Sequence, residues 1–580
     1  MNAPSRLWRI VRTGDIGQIM RRLRRLAAEP SYARRLASQR LTDDDRRAIQ
    51  AEIARLGHPP LISVLLPVYN SNPAWLRACL DSVLAQLYPH WELCVADDAS
   101  TLGEVRAIVQ DYADREPRIK VVFRPINGHV AATTNSALTL ATGDYVAFLD
   151  HDDLLTEDAL YRVATLLDSH RDADMIYSDE DRIDARGRPL HPVLKPGWSP
   201  DLLRAHNYIN HLTVIRSELV QRAGGLREGF EGAQDHDLLL RASETTTAAR
   251  IHHIPHVLYH WRKHGAALGN DPATRAAVAA ASHRAVAEAI ARQGLAADVL
   301  PTGAMPFLHR VRYRLPDPPP LVSVIIPTRD RLDLLRAAVD GVRVRTDYSA
   351  IELIVVDNDS REPETLTYLC QLANEEGVRV LRQPGAFNYA ALNNAAAALA
   401  TAEVLCFLNN DIVVTQPGWL TELVSQAMRP EIGAAGPLLR YPDGRVQSAG
   451  IVLGSGILGR LALHQRKGDQ PPSPFQLQQI RNVAALTGAC LVMRRAPFAE
   501  VGGFDTELAV AYNDIDLCLK LRAADYWLVC TPFAELIHFH SASRGPESTP
   551  EQRVRLASEA SYLKAQWGAF ATSDPFVNPI

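Results

Sequence analysis

Cysteine is scarce and unpatterned: seven residues (79, 94, 370, 406, 490, 518 and 530) are scattered over 580 positions. Their number is odd and none form a C-x-x-C pair, so neither a disulfide framework nor a thiolate zinc site is indicated, and a reducing cytoplasm fits. Long apolar runs are lacking too. The most apolar stretch, Ala449 to Leu463, is broken by four glycines and by Arg460, which is too short and interrupted to span a bilayer. No apolar core of signal-peptide type stands near residue 1. An excess of positive charge is also missing: Lys+Arg 62 against Asp+Glu 66 leaves a net −4, which excludes the broad basic footprint of a nucleic-acid binder.

What is present is the composition of a folded chain, 47% hydrophobic and 22% charged. Its length allows about four domains at the usual domain size. The near-neutral total hides an asymmetry. Residues 1 to 40 hold ten arginines against Asp15 and Glu29 and so carry +8, leaving −12 on the remainder. Ile16, Ile19, Met20, Leu23 and Leu26 recur at helical spacing, with Arg21, Arg22, Arg24 and Arg25 on other faces. The pattern predicts a basic amphipathic helical arm over 1–57, suited either to an anionic membrane surface or to packing on the body of the protein. The expected location is cytoplasmic, with peripheral attachment to the inner face of the cytoplasmic membrane.

The most informative feature is an internal repeat. PLISVLLPVYN (60–70) matches PLVSVIIPTRD (320–330), and ELCVADDAS (92–100) matches ELIVVDNDS (352–360), both at an offset of 260. LATGDYVAFLDHDD (140–153) matches LATAEVLCFLNNDI (399–412) at 259. Each copy alternates short Val/Ile/Leu runs with helical stretches, the signature of buried parallel strands in an α/β fold. The expected domains are 58–270 and 319–546, joined by a helical and Pro-rich linker (271–318) and followed by a C-terminal helix and tail (547–580). The apolar runs end at Asn70, Asp97 and Asp150, where ligands bind in open α/β sheets.

Asp150-His151-Asp152-Asp153 crowds carboxylates behind the run YVAFL. Such crowding calls for solvent or a cation, and hard carboxylate oxygens suit Mg²⁺ or Mn²⁺. An Asp-x-Asp alone reads equally as a solvated turn; its place in an ordered repeat makes it a candidate site.

The ordered set SVLLPVYN, ADDAS, FLDHDD and GAQDHDLLLR resembles the inverting nucleotide-sugar transferases of glycosyltransferase family 2, with the GT-A fold. In the second copy SVIIPTRD, VVDNDS, FLNNDI, TGACLVMRR, YNDIDLCLKLR and HFHSASRG resemble it too. YSDEDRID, KPGWSPDLL and GAFNYAALNN are similar to tandem bacterial rhamnan and O-antigen enzymes.

The resemblance implies two tandem GT-A (nucleotide-binding, Rossmann-like) domains and assigns roles. Asp235 and Asp514 become catalytic bases at helix starts. Asp97, Asp98, Asp150, Asp357, Asn409 and Arg262 contact the donor, and Asp152, His264, Asp411 and His538 hold Mg²⁺ or Mn²⁺. His260 and His540 are the less favoured histidines. Asp237 and Asp516 brace the site. The implied partners are a nucleotide-sugar donor and a lipid-linked saccharide acceptor, and the implied product is a bacterial cell-surface polysaccharide, with rhamnosyl transfer as one option. Three alternatives stay open: a second copy that binds glycan without catalysis, suggested by Asn409; a sugar nucleotidyltransferase, disfavoured by the lack of a Gly-rich phosphate loop; and a non-enzymatic scaffold.

Overall fold

The computed structural model describes residues 32, 36, 40–263, 271–303, 305–454, 458–467, 469, 472–473, 475–539 and 549–579. The amphipathic stretch predicted around residues 16–26 lies outside them, as do His264 and His540.

The described residues divide into two compact units. One comprises those up to Trp198, Asn207–Ala289 and those from Asn578; the other comprises Ser199–His206 and Ile290–Val577. In the first unit the strands are β1 (Ile62–Val68), β2 (Trp91–Asp97), β3 (Ile119–Phe123), β4 (Tyr145–Phe148), β5 (Leu154–Leu155), β6 (Met175–Ile183), β7 (Pro189–Val193), β8 (Thr213–Arg216) and β9 (Ile251–Arg262). Their order is β3-β2-β1-β4-β8-β6-β9-β5, with β7 beside β6.

The second unit opens with a hairpin, β10 (Ala297–Pro301) and β11 (His309–Tyr313), inside the stretch expected to be linker. The hairpin orders there because Leu308, Val311 and Tyr313 are buried. Then follow β12 (Val322–Thr328), β13 (Ile351–Asp357), β14 (Val378–Arg382), β15 (Val404–Leu408), β16 (Ile412–Val414), β17 (Ile432–Arg440), β18 (Val446–Ser448), β19 (Ile451–Val452), β20 (Arg460–Leu461), β21 (Arg481–Asn482), β22 (Cys490–Arg494) and β23 (Trp527–His538). The large sheet runs β14-β13-β12-β15-β22-β17-β23-β16, with β18 and β21 at its margins, and β19 pairs with β20.

Strand for strand, the two sheets have the same order. The repeat also reappears as register: Val68 pairs with Asp97 and Thr328 with Asp357, while Ile62 pairs with Tyr145 and Val322 with Val404. The central strands are buried on both faces, as parallel strands between helices must be. In β12, Val322, Val324 and Ile326 face the helices Leu332–Val344 and Trp419–Ala427. Ile325 faces the opposite layer, with Tyr389–Leu399 and Asn513–Ala523. Helix starts follow local capping chemistry. Asn72 Oδ1 accepts from the backbone of Ala74 and Trp75 with Pro73 next in line, and Asn388 caps its helix through Ala391 N–H.

One buried polar device is duplicated with the fold. Ser63 Oγ donates to Glu92 Oε1 at 2.6 Å, and Thr142 donates to the same carboxylate through its N–H at 2.5 Å and its hydroxyl at 2.9 Å. In the second copy Ser323 donates to Glu352, as do Thr401 N–H at 2.7 Å and its hydroxyl at 3.0 Å. Each carboxylate ties the first two strands to the turn that feeds the strand carrying the acidic motif. Burial opposes ionisation of Glu92, but Lys120 and these hydrogen bonds win and hold its carboxyl down to about 2. Its stabilisation is therefore complete above the ordinary carboxylate range and is lost as pH falls towards 2. Glu92→Ala should cost ~2–3 kcal/mol at pH 7 by leaving these donors unsatisfied, and in denaturant titrations the gap from the unmodified chain should close between pH 4.5 and 2.

Candidate active site

In the first copy the chemistry gathers where β1, β2 and β4 end. Asp97, the last residue of β2, is buried; its Oδ2 accepts from Ser100 N–H at 3.2 Å, and its Oδ1 makes no hydrogen bond among the described residues. Asp98 was expected at the donor, but both its oxygens are engaged. Oδ1 accepts from Arg124 Nε at 2.8 Å, and Gly128 N–H lies 2.9 and 3.1 Å from the two oxygens, so Asp98 braces the loop before the helix His129–Leu138.

Asp150, Asp152 and Asp153 follow β4. The Asp150 side chain is 48% exposed. Burial among protein atoms, with the charges of Asp152 and Asp235, pushes its carboxyl up to about 7. Asp153 is enclosed, accepting from Tyr259 Oη and from Arg262 N–H, both at 2.7 Å. Arg262, expected at the donor, also braces this loop: its Nε donates to the Asp152 carbonyl at 2.6 Å.

Asp235, second residue of the helix Gln234–Ser243, accepts from His236 N–H and from Asn207 Nδ2, both at 2.8 Å. Burial raises its pKa against those hydrogen bonds. Asp237 is locked by Arg227 and Arg241, the latter through Nε at 2.9 Å, and so braces the helix.

His211 joins this site without any signal in the sequence. His211 stacks on Tyr259 at 4.5 Å between ring centres, with Nε2 3.7 Å from Asp150 Oδ2. Burial pushes its imidazole down to about 4, Glu180 opposing, so it is neutral at physiological pH. Asp150, Asp153 and His211 each place one donor atom within 4.8 Å of the others. One imidazole nitrogen with carboxylate oxygens is a donor set that fits a divalent ion. His260, in contrast, is turned to Asp181 at 2.6 Å.

The second copy repeats the plan. Asp357 ends β13, accepts from Ser360 N–H at 2.9 Å and faces Arg382 at 3.3 Å. Asn409 donates its N–H to the Ala489 carbonyl at 3.0 Å. Asp411 Oδ1 faces His538 Nε2 at 3.1 Å, and His538 Nδ1 lies 2.7 Å from Gln447 Oε1. With Nδ1–H given to Gln447, the Nε2 lone pair meets a carboxylate oxygen, a geometry that a proton or a divalent cation between them resolves. Asp514, second residue of the helix Asn513–Ala523, accepts from Gly488 N–H at 2.8 Å and Ile515 N–H at 2.9 Å, and burial raises its pKa. Asp516 is held by Lys520 at 2.8 Å and Trp567 Nε1 at 2.9 Å.

The sheets also reveal a one-residue difference. Leu154 pairs with His260 and Ile412 with His538, so the acidic loop is one residue longer in the first copy. By this register Asp411 stands at the station of Asp153.

The sequence profile described as Glycosyl transferase family 2 matches residues 63–222 and 323–502, more than half of the chain and one match per copy. The chain belongs to glycosyl transferase family 2. It is 46% identical over 532 residues to an uncharacterized protein, y4gI, of Sinorhizobium fredii (strain NBRC 101917 / NGR234), covering 91% of this chain and 58% of that one. It is 42% identical over 538 residues to the O-antigen biosynthesis protein RfbC of Myxococcus xanthus, covering 92% of this chain and 41% of that one. The chain thus spans about half the length of these curated relatives. Among solved structures, S. aureus TarS 1-349 in complex with UDP-GlcNAc is similar at 22% identity and a TM-score of 0.34, covering 40% of this chain and 66% of that one.

In this family 2 protein each GT-A domain therefore presents a strand-end acid, an acidic loop and a helix-start carboxylate. Among the described residues no helix is long and apolar enough to cross a membrane. Because the Asp150 carboxyl lies higher in the fold than its ordinary value, ionising it costs stability as pH rises through about 7. Asp150→Asn should therefore raise the melting temperature at pH 8, and the difference should vanish by about pH 4, where both side chains are neutral.

Proposed function

We propose that the chain is an inverting, metal-dependent glycosyltransferase with two sites, moving sugars from nucleotide-sugar donors onto a growing bacterial cell-surface polysaccharide. The observation that carries this is the pairing, in each copy, of a carboxylate at a helix start (Asp235, Asp514) with a strand-end acidic loop (Asp150–Asp153, Asn409–Asp411). RfbC, named for O-antigen biosynthesis, supports the product class.

The buried Oδ1 of Asp97 suits a nucleobase N–H, and Asp357 has the same place in the second copy. Asp150 and Asn409 approach the donor ribose. In the first copy Asp152 and His264 are the expected metal ligands, and Asp150, Asp153 and His211 gather donor atoms within 4.8 Å of one another; in the second the expected ligands are Asp411 and His538. A bound Mg²⁺ or Mn²⁺ would neutralise charge growing on the departing nucleoside diphosphate. Asp235 and Asp514 take the proton of the acceptor hydroxyl as its oxygen attacks the anomeric carbon, and the C–O bond to the diphosphate breaks on the opposite face. Burial raises both carboxyls, which strengthens them as bases while helix N-termini keep them ionised. The acceptor is a lipid-linked saccharide, and the Arg-rich residues 1–57 supply attachment to an anionic membrane. Rhamnose is one candidate among donor sugars.

A panel of UDP- and dTDP-linked sugars, assayed with Mn²⁺ or Mg²⁺ for release of nucleoside diphosphate, should identify the donors. Asp235→Asn and Asp514→Asn should each remove one product linkage, lowering that turnover by at least about 100-fold, and release of pyrophosphate instead would mark a nucleotidyltransferase. Asn409 favours a second reading, a non-catalytic second copy. In that case Asp514→Asn leaves every linkage intact while Asp235→Asn removes all synthesis.

A further inference from the structure

The two copies hold their helix-start carboxylates differently, and the difference is local. Sheet register pairs Tyr145 with Arg216 and Val404 with Arg494, so Asn210 and Gly488, each six residues earlier, occupy matching stations. In the second copy the Gly488 N–H reaches the carboxylate itself, donating to Asp514 Oδ2 at 2.8 Å. In the first copy the Asn210 N–H donates to Asn207 Oδ1 at 3.1 Å, and Asn207 Nδ2 donates to Asp235 Oδ2 at 2.8 Å. One amide side chain is thus inserted between the same backbone donor and the carboxylate. Because its carbonyl is occupied by an N–H, the amide is oriented with its amino group towards Asp235.

The loop that carries this amide is pinned from beneath. Lys195 is buried, donates to the carbonyls of Ile209 and His211, and lies 3.2 Å from Glu180 Oε2. The same Glu180 oxygen accepts from His211 N–H at 3.2 Å, and Thr213 Oγ1 donates to the Asn210 carbonyl at 2.7 Å. A lysine and a glutamate taken out of water are costly unless every donor and acceptor is matched. Here they are spent on fixing three successive residues of one loop.

We infer that Asn207 is a positioning residue for the first site, a relay that transmits the fixed geometry of the Asn210 backbone to the carboxylate of Asp235, with the Lys195–Glu180 pair holding the relay in place. This rests on Asp235 acting as the base. The relay holds the second oxygen of Asp235 in one rotamer, so that the first copy presents its base from a side chain where the second uses backbone. It also gives evolution a handle on the first site that a backbone donor does not offer.

The test uses the full chain carrying Asp514→Asn, so that only the first site turns over, with the nucleotide sugar selected from the panel above. Asn207→Ala should lower kcat about 10- to 100-fold with the KM for the donor changed less than about twofold, the pattern of an interaction that matters at the transition state. Asn207→Asp keeps the shape but removes the donor and should lose as much, while Asn207→Ser, which keeps a hydroxyl donor, should recover part of the loss. Melting temperatures within about 2 °C of the parent would separate positioning from folding. Unchanged kcat in Asn207→Ala, or losses that track the melting temperature across all three variants, would overturn the relay. Asp235→Asn in the same background is the control: if it retains turnover, the base assignment itself has failed, whereas its inactivity with fully active Asn207 variants would refute the relay alone.

Discussion

Carboxylates held out of water at the ends of one sheet's strands set the terms for the rest of this structure. An acid in that position must be protonated, hydrogen-bonded or matched by a cation. The first copy uses all three solutions at the ends of β2 and β4. Asp98 is matched by Arg124, Asp153 by a tyrosine hydroxyl and a backbone N–H, and Asp150 responds with a raised pKa. What is left poorly matched is what can do chemistry: the Oδ1 of Asp97 and the half-exposed Asp150.

The scaffold meets that demand through rigidity. Glu92 and Glu352 each clamp the first two strands to the turn before the acidic strand, so the acidic loop starts from a fixed point. The helix that carries each proposed base is fixed at its start by a second acid, Asp237 on Arg227 and Arg241, Asp516 on Lys520 and Trp567. Among the described residues the neighbouring acids are thus matched by cations, while the hydrogen bonds to Asp235 and Asp514 come from neutral donors.

Duplication supplies an internal comparison. Strand order and register agree across the two sheets, yet the loops diverge: an acidic loop one residue shorter, Asn409 for Asp150, and a glycine N–H where the first copy has an asparagine relay. The shared strands keep their register because a strand shifted by one residue would turn every buried side chain to the wrong face; divergence falls in the loops and in added pieces such as β21 and the β19–β20 pair. Two sites of one ancestry can therefore differ in donor or acceptor without disturbing the sheet.

From residue order alone came the repeat, the α/β alternation, the family 2 resemblance and the acids at strand ends. All depend on local pattern or on self-similarity. Asn207 and His211 carried no such mark, since an isolated Asn or His has no spacing that singles it out; Glu180 and Lys195 stand inside YSDEDRID and KPGWSPDLL, but nothing in those segments says that the two meet beneath one loop. Antiparallel pairing of β8 with β4 brings the residues just before β8 beside those just after β4, more than fifty positions apart in the chain. The hydrogen bonds that Asp98 and Arg262 make within the fold were equally invisible in residue order. Type and order determined which groups could react; strand direction and register decided which of them meet, because only the assembled sheet fixes which loops share one end.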